Sequence, residues 1–293
     1  STLRTTGEVR RVSAVVDALS LQLGSLDEPK REARDLLSAL LDVPRHWPSL
    51  RQDDSIDADM WKRACVAASR RAAGAPLAYA VGRVNFRELT LDVDERVLIP
   101  RPETEMLVDL VLERCAAGGT AADIGTGSGA VAIALAREGK FDHVIGTDIS
   151  SDALDVARTN AGYYAAMTRT TMSFVLGDLL ASLPPTRPLA AIVSNPPYIS
   201  YAENDALPPS VRNWEPAVAL FSAREGMETT ARLIRQAADA LAPGGLLALE
   251  TDARRASLTS ELLATDARYA NVVVHLDLTG RERFVLANRR EHT

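Results

Sequence analysis

Residues 121–136, AADIGTGSGAVAIALA, predict a buried strand, a glycine-rich turn and a helix. Gly125, Gly127 and Gly129 let the backbone turn sharply and let a ligand approach without Cβ atoms in the way. Asp148 follows nineteen residues after Gly129. An acid at the end of the second strand, about 20 residues on, is where a ribose diol donates two hydrogen bonds. The pattern indicates a site for an adenosine-type ligand.

The sequence after Pro100 alternates between predicted strands and helices. Alternation of this kind favours an α/β fold with a doubly wound, mostly parallel sheet. The last two strands have only a short connection, which predicts an antiparallel pair at one edge. The predicted strands are 121–124, 144–149, 172–176, 190–195, 246–250, 271–277 and 283–288, and the predicted helices are 103–116, 129–138, 152–165, 227–242 and one near 253–264.

A different pattern precedes Pro100. Residues 8–75 carry apolar side chains at helical spacing in three segments, 8–23, 29–43 and 57–74. Asp57 is the expected N-cap of the third segment and Gly74 its stop. Residues 84–99 alternate and are rich in β-branched and aromatic side chains, which predicts a hairpin between two domains. The predicted division is an all-α domain over 1–80, a β-hairpin linker over 81–99 and an α/β domain over 100–293.

The bulk composition is that of an ordinary globular protein, with 46% apolar and 25% charged residues among 293. No run approaches the roughly 18 apolar residues of a membrane helix, and the start of the chain lacks a signal-peptide pattern, so a cytoplasmic location is expected. Cys65 and Cys115 lack metal-ligand spacing and are interpreted as inert thiols. The four histidines are scattered, and no metal site is predicted.

Charge is distributed unevenly along the chain. Residues 1–75 hold 12 basic and 11 acidic side chains, whereas residues 76–293 hold 21 basic and 28 acidic ones. Proteins that bind nucleic acid through phosphates usually show a basic stripe, so this distribution disfavours nucleic acid as the main substrate. The near-neutral first part suits docking onto a protein. A cluster of five arginines would either meet an acidic partner or form a solvated helix face: Arg63, Arg70, Arg71, Arg83 and Arg87.

The glycine spacing G-x-G-x-G, with an acid before it, resembles the S-adenosylmethionine site of class I methyltransferases. A dinucleotide fingerprint would have G-x-G-x-x-G. The terminal strand pair also resembles the seven-stranded, Rossmann-like sheet of that family. The resemblance implies S-adenosylmethionine as cofactor. Asp123 would receive a ligand ammonium or orient the loop. Asp178 would lie near the adenine, unless it is a helix cap or turn residue. The predicted cofactor-binding residues are Asp123, Gly125, Thr126, Gly127, Ser128, Gly129, Asp148, Asp178, Leu179 and Asn195.

Residues 194–200, SNPPYIS, follow the predicted fourth strand, and their two prolines fix two φ angles. The tetrapeptide Asn-Pro-Pro-Tyr matches methyltransferases that act on planar nitrogens: adenine N6, the exocyclic guanine nitrogen and the glutamine amide. Such a nitrogen is a poor nucleophile, and hydrogen bonds accepted by the Asn195 oxygen and the Pro196 carbonyl would free its lone pair. Tyr198 would pack on the planar face of the substrate group. The predicted catalytic residues are Asn195, Pro196 and Tyr198, and the predicted substrate contacts are Asn195, Pro196, Pro197 and Tyr198. Without the glycine loop, a rigid turn would be an equal interpretation.

Other chemistries find no support in the sequence. A G-x-S-x-G nucleophile elbow does not occur, which argues against that class of hydrolase. A cytosine C5-methyltransferase would need a Pro-Cys nucleophile where this chain has Pro-Pro.

Two further segments narrow the choice of planar nitrogen. Residues 76–105 contain P-L-A-Y, G…F and V-L-I-P-R-P-E-T-E, and residues 213–234 are centred on Glu215-Pro216 and Gly226. Together these closely resemble the release factor glutamine methyltransferases, the PrmC/HemK family. The resemblance implies N5-methylation of the glutamine in the Gly-Gly-Gln loop of class I peptide chain release factors, and hence a role in translation termination. It assigns substrate docking to 1–80 and catalysis to 100–293, in a monomer that needs no nucleic acid. Ala80, Trp214 and Leu179 depart from the family pattern.

Three other functions remain open at this point. One is a glutamine methyltransferase for a ribosomal protein. A second is an adenine-N6 or guanine-N2 methyltransferase for nucleic acid, which the acidic second part and residues 76–105 disfavour. The third is a non-catalytic adenosine-binding regulator, which would leave the tetrapeptide without a purpose.

Overall fold

The computed structural model describes residues 9–183 and 188–291. The chain divides between Val84 and Asn85. The first unit comprises the described residues up to Val84 and the short segment Pro208–Trp214, and the second comprises Asn85–Leu207 and the residues from Glu215 onward.

Helices build the first unit. Its elements are β1 (Arg10–Arg11), α1 (Val12–Gln22), α2 (Pro29–Leu41), α3 (Trp47–Leu50), β2 (Ser55–Ile56), α4 (Ala58–Ala72) and α5 (Leu77–Val81). The core forms where the apolar faces of α1, α2 and α4 meet, at residues such as Leu19, Leu36 and Ala68. Late in this unit, Gly74 has φ +100°, and a Cβ built there would lie 3.6 Å from Nε1 of Trp214, in the second segment of the unit.

The cap predicted for the third helix is confirmed, because Asp57 accepts a hydrogen bond from Met60 N at 2.7 Å. The helix ends at Ala72, just before Gly74. Residue 8, where the first predicted helical segment begins, lies outside the described residues, and the prediction of helix at Arg10 and Arg11 was wrong. Arg10 and Arg11 instead pair antiparallel with Ser55–Ile56, which holds them extended until α1 begins at Val12.

The second unit alternates strands and helices, as predicted, with bounds that differ by a few residues. The helices and strands from residue 83 onward are β3 (Arg83–Phe86), β4 (Leu89–Asp92), α6 (Pro102–Arg114), β5 (Thr120–Ile124), α7 (Ala130–Glu138), β6 (His143–Asp148), α8 (Ser151–Tyr164), β7 (Thr171–Leu176), β8 (Leu189–Ser194), α9 (Pro209–Arg212), α10 (Ala217–Leu220), α11 (Glu228–Ala240), β9 (Leu241–Glu250), α12 (Ala256–Thr265), β10 (Tyr269–Leu276) and β11 (Glu282–Arg289). Of these, α9 lies in the segment that belongs to the first unit, and the division passes through β3.

The main sheet has seven strands in the order β10-β11-β9-β8-β5-β6-β7. The five neighbouring strands β9, β8, β5, β6 and β7 are parallel to one another, whereas β11 is antiparallel to both β9 and β10. The predicted mostly parallel sheet with a terminal antiparallel pair is confirmed. From β5 the chain moves outward to β6 and β7 and then returns to β8 on the other side of β5. Ligands of such sheets bind at this reversal, beyond the carboxyl ends of the strands.

The central strands read as continuous apolar runs because helices cover both faces of the sheet. Every residue of β5 is buried, and five of the six residues of β8 are buried. One layer of the core contains Ile124, Ile192 and Leu249 from three adjacent strands. Within the described parts of the chain, no helix has the length and apolar character needed to cross a membrane.

The hairpin is shorter than predicted and is fastened to the second unit. Its strands end at Asp92, whereas the prediction extended them to Ile99. The buried Asn160 side chain accepts from Asp92 N at 2.8 Å and donates to Asp92 O at 3.0 Å and to Ser128 O at 2.9 Å. Tyr164 Oη likewise accepts from Thr90 N and donates to Thr90 O. These bonds explain why the division falls at Val84, and residues 81–99 do not stand apart as a linker.

Three of the five clustered arginines are engaged within their own unit. Arg71 forms a bidentate pair with Glu32, and Arg83 donates to the carbonyls of Ala39 and Leu40. Arg87, in the second unit, pairs with Glu138 and Asp109. These three arginines therefore form neither a solvated helix face nor a free surface for an acidic partner, the two interpretations made from the sequence.

Replacing Asn160 by alanine should lower the free energy of unfolding by about 2–4 kcal/mol, because it removes the partners of Asp92 and Ser128 backbone groups. Urea unfolding followed by circular dichroism measures this. Asn85→Ala is the matched control, since Asn85 is exposed and its side chain accepts from Thr90 Oγ1 on the same hairpin. Its cost should stay within about 0.5 kcal/mol. Equal losses in the two variants would contradict the anchoring role of Asn160.

Candidate active site

The glycine loop begins where β5 ends. Gly125 N and Thr126 N each donate to Thr147 O of β6 at 2.8 Å, which sets the course of the turn. Gly125 and Gly127 have φ of +72° and +53°, and a Cβ built on either would meet no protein atom within 4 Å. The loop therefore presents open backbone on one side, and a side chain there would fill that space.

Gly129 has a different function in the same loop. It has φ +83°, and a Cβ there would approach Ile133 Cδ1 to 3.2 Å and Ala157 Cβ to 3.3 Å. The absence of a side chain lets the start of α7 pack closely against α8. Gly129 thus serves packing, whereas Gly125 and Gly127 leave room for a ligand.

Asp123, the fourth residue of β5, is 2% exposed and lies beneath the loop. Its Oδ2 accepts from Thr126 Oγ1 at 2.7 Å and from Ala132 N at 3.1 Å. Burial raises the pKa of Asp123 to about 7, in spite of those two hydrogen bonds. The carboxyl group holds the loop to the first turn of α7, which is one of the two roles expected for it.

Asp148 is the last residue of β6. One carboxylate oxygen accepts from Gly127 N at 2.9 Å and the other accepts from Ser150 N at 2.9 Å. Partial burial raises the pKa of Asp148 above its ordinary value. Each oxygen retains capacity for a further donor, such as a hydroxyl group.

A cavity opens at the carboxyl ends of the strands, at the point where the strand order reverses. Its walls come from the segment after the hairpin, the glycine loop, the ends of β6 and β7, the tetrapeptide, α10 and the start of α11. The lining residues are Arg96, Val97, Leu98, Gly125, Gly127, Asp148, Ile149, Ser150, Ala153, Gly177, Asp178, Leu179, Asn195, Pro197, Pro216, Val218, Ala219, Phe221, Thr229 and Arg232.

The structure brings most of the predicted site residues to this cavity. Seven line it: Gly125, Gly127, Asp148, Asp178, Leu179, Asn195 and Pro197. Behind the wall lie Asp123, Thr126, Ser128 and Gly129, which support the glycine loop. Pro196 is buried and Tyr198 is partly buried, and neither is among the lining residues.

Asp178 and Leu179 follow β7 on the far side of the cavity. Asp178 Oδ2 forms an ion pair with Arg232 Nη2 at 2.5 Å. Leu179 has φ +56°, which is unusual for a residue other than glycine, and its carbonyl accepts from Thr147 Oγ1 at 3.1 Å. Backbone strain of this kind is concentrated at ligand sites.

The tetrapeptide is held at both ends. Asn195 follows directly on β8, and Ile199 N donates to Leu220 O at 3.0 Å while Ser222 N donates to Ile199 O at 2.9 Å. These two bonds form a short parallel bridge between Ile199 and Phe221. Between the strand and the bridge, the two prolines leave little backbone freedom. Burial raises the pKa of Tyr198 to about 12, so its phenol stays neutral.

Gly226 supports the tetrapeptide from behind. It has φ +87°, and a Cβ there would collide with the Tyr198 carbonyl oxygen and with Arg255 Nε. Arg255 is itself fixed by Glu203, Asp252 and the Glu225 carbonyl. Any side chain at position 226 would displace the segment that carries Tyr198.

Several residues that shape the site were missed by the sequence-based prediction. Arg101 pairs with the buried Glu215 at 2.6 Å, which joins the segment after the hairpin to the segment leading into α10. The sequence contained both motifs, but nothing in it indicated that they pair. Thr104 Oγ1 accepts from Asn195 Nδ2 at 3.3 Å and donates to Glu250 Oε2 at 2.7 Å. Burial raises the pKa of Glu250 to about 7.

Known proteins resemble this chain in both of its parts. Residues 15–82 match the PrmC N-terminal domain, and residues 102–207 match the methyltransferase small domain. The chain is 40% identical over 271 residues to the release factor glutamine methyltransferase of Deinococcus radiodurans, which covers 92% of this chain and 94% of that protein. It is also 40% identical over 273 residues to the enzyme of the same name from Moorella thermoacetica, with 92% and 95% covered.

Among solved structures, a methyltransferase from Pyrococcus furiosus superimposes with a TM-score of 0.52 at 20% identity. That likeness covers 70% of this chain and 91% of the other and supports the fold alone. The predicted class I methyltransferase fold is thereby confirmed.

Gly226→Ala should destabilise the protein by about 2–4 kcal/mol, through strain at positive φ and collision with the Tyr198 carbonyl. Gly162→Ala is the matched control: a Cβ at this glycine in α8 meets nothing within 4 Å. Because alanine favours a helix, Gly162→Ala should be neutral or stabilise by up to about 1 kcal/mol. Denaturant titration compares the two, and a harmless Gly226→Ala would contradict the close contact with Tyr198.

Asp123→Asn should become more stable relative to wild type as pH rises from about 4 to about 7. The pKa of Asp123 is raised by burial from 3.8 to about 7. The folded state therefore holds a proton that the unfolded state has lost. Wild type consequently loses up to about 1.4 kcal/mol of stability per pH unit in this window, and the variant does not. Unfolding free energies of the cofactor-free proteins at several pH values measure the difference. A difference that stays constant with pH would contradict this.

Proposed function

The chain belongs to the release factor glutamine methyltransferases, and on that premise we propose that it methylates the side-chain nitrogen of a glutamine in class I peptide chain release factors. The glutamine proposed is the one in the Gly-Gly-Gln loop. The observation that carries this proposal is the position of Asn195, which directly follows β8 and lines the cavity together with Gly125 and Gly127 of the open glycine loop. Among the described residues, the Asn195 oxygen accepts no hydrogen bond.

The cofactor of the enzyme is S-adenosylmethionine, and the cavity fits it. Gly125 and Gly127 leave a space that a Cβ would fill, and Asp148 keeps acceptor capacity for ribose hydroxyls. We assign the ribose to Asp148 and the adenine to the wall formed by Asp178 and Leu179. When bound, the cofactor supplies an electrophilic methyl group on a positively charged sulfur.

The substrate nitrogen needs help because its lone pair is delocalised into the amide. No side chain is basic enough to remove an amide proton beforehand. We assign two acceptors to the two N–H bonds of the glutamine amide: the Asn195 side-chain oxygen and the Pro196 carbonyl. Hydrogen bonds to these two acceptors favour a pyramidal nitrogen and localise its lone pair. Positioning and electrostatic stabilisation of this kind lower the activation free energy by about several kcal/mol. After transfer, the protonated amide is strongly acidic and loses its proton to water without a dedicated base.

The rest of the tetrapeptide supplies rigidity and packing. Pro197 lines the cavity. Together with Pro196 it restricts the backbone that carries the two acceptors, the Asn195 side-chain oxygen and the Pro196 carbonyl. We assign Tyr198 to packing against the planar face of the substrate amide, as a neutral phenol. Preset geometry of this kind lowers the entropy lost when the substrate amide binds.

Docking of the release factor is assigned to the first unit, which carries the match to the PrmC N-terminal domain. The near balance of basic and acidic residues over 1–75 suits a protein surface and does not suit nucleic acid. We propose that the enzyme acts in the cytoplasm as a monomer and needs no nucleic acid for catalysis.

The decisive experiment incubates the enzyme with labelled S-adenosylmethionine and one of four substrates. These are a class I release factor, its Gln→Asn loop variant, ribosomal proteins, and DNA. Label should appear in the wild-type release factor and be absent from the loop variant. Label in DNA or in ribosomal proteins alone would overturn the assignment, and label that persists in the loop variant would move the target to another residue.

Asn195→Ala should lower kcat for release factor by about 100- to 1000-fold, as loss of one preorganised polar contact to the reacting group does. Cofactor affinity, measured by calorimetry, should stay within about threefold, a change of under 1 kcal/mol. Asn204→Ala is the control, because Asn204 lies in the short helical turn Tyr201–Ala206 and its side chain donates to the exposed neighbour Asp205 at 3.4 Å. A large loss of cofactor affinity in Asn195→Ala would contradict the assignment of Asn195 to the substrate.

A further inference from the structure

Glu250 is a buried acid that the proposed chemistry does not use. It is the last residue of β9 and is 2% exposed. The parallel register pairs Ser194 with Leu249, so the next residues, Asn195 and Glu250, leave adjacent strands side by side. Burying a carboxylate this deeply costs free energy of folding unless hydrogen bonds or ion pairs compensate for the lost hydration, so its contacts are informative.

Thr104 lies between these two side chains. It sits in the first turn of α6, where its backbone N donates to Arg101 O at 3.1 Å. Its hydroxyl donates to Glu250 Oε2 at 2.7 Å and accepts from Asn195 Nδ2 at 3.3 Å. Thr104 is 5% exposed, so water does not compete strongly for either bond.

The direction of these bonds matters because a hydroxyl has a single proton. When the Thr104 proton points to the Glu250 carboxylate, the hydroxyl oxygen is available to Asn195 only as an acceptor. The Asn195 amino group must then face Thr104, and the Asn195 carbonyl oxygen is turned the other way. A carboxamide rotated by half a turn has nearly the same shape, but it would present N–H groups to the N–H groups of the substrate.

We propose that Thr104 and Glu250 are positioning residues that hold the Asn195 carboxamide with its oxygen toward the substrate amide. This inference rests on the proposed function, because it takes Asn195 as the acceptor for a substrate N–H. It adds to that function the reason why Asn195 adopts only one of its two orientations.

Protonation of Glu250 reverses the chain of hydrogen bonds. Five groups act on Glu250 or share its surroundings: Arg101 before α6, Glu103 in α6, Arg283 of β11, Tyr198 of the tetrapeptide, and Asp252, which follows β9. Burial outweighs the two arginines and raises the pKa of Glu250 to about 7. A protonated Glu250 donates to Thr104, and the Thr104 proton is then free to turn to Asn195. The wild-type kcat should therefore rise with pH through about 7.

The test compares four variants in the labelled release factor assay, each at several pH values. Thr104→Ser keeps the hydroxyl and loses a methyl group, whereas Thr104→Val keeps the shape and loses the hydroxyl. Glu250→Gln mimics the protonated acid, because its amino group donates to Thr104. Thr259→Val is the matched control: Thr259 is fully buried in α12, and its hydroxyl has no hydrogen-bond partner in the described structure.

We expect Thr104→Val and Glu250→Gln to lower kcat at pH 8 by about 10- to 100-fold, the effect of one misdirected hydrogen bond at the reacting group. Both should lose the rise of kcat with pH, while the KM for release factor and the calorimetric cofactor affinity stay within about threefold. Thr104→Ser and Thr259→Val should keep kcat within about threefold and keep the pH profile.

Two results would overturn the inference. One is a wild-type kcat and pH profile in Glu250→Gln. The other is a loss in Thr104→Ser as large as that in Thr104→Val, which would indicate packing and not hydroxyl orientation. If wild type itself fails to methylate release factors, the proposed function fails instead, so the two failures are told apart in the same assay.

Discussion

The parallel register of β5, β8 and β9 is the constraint on which the site depends. Ile124 pairs with Ser194, and Ser194 pairs with Leu249, so the last residues of β5 and β8 lie beside the next-to-last residue of β9. Ser194 Oγ reinforces the row by donating to Ile124 O at 2.6 Å. The glycine loop follows β5, Asn195 follows β8, and Glu250 is the last residue of β9. Their proximity therefore follows from strand pairing, and a register shift of one residue in any of the three would dismantle the site.

A second layer of order comes from the segments that cover this row. The ion pair between Arg101 and the buried Glu215 joins two irregular segments that both contribute to the cavity wall. Glu215 Oε2 also accepts from Ile99 N at 3.4 Å, which adds a backbone contact to the pair. Loops are usually the mobile part of a site. Here a buried carboxylate with two partners holds them in place.

The sequence predicted the fold and the order of the motifs well, because both are local patterns. Alternating elements predicted the sheet, and the spacing from Gly129 to Asp148 predicted the loop and its acid. The hairpin shows why local patterns mislead: Val93, Val97 and Ile99 are buried and imitate strand alternation, but Val97 N donates to Asp94 O and closes a turn. The bond between Thr104 and Glu250 joins residues 146 positions apart, and Thr104 in sequence resembles only a helix start. Such pairings depend on tertiary packing, which no local pattern contains.

The short segment Pro208–Trp214 makes the first structural unit discontinuous in sequence. It lies within the connection that leads away from the tetrapeptide, and yet it belongs to the first unit, where Trp214 lies close to Gly74. The boundary between the units is therefore crossed three times by the chain, at residues 84, 207 and 214. A fragment cut after Val84 lacks part of its own unit. The helical unit is thus not an independently transferable piece, and exchanging it between relatives requires exchanging Pro208–Trp214 with it.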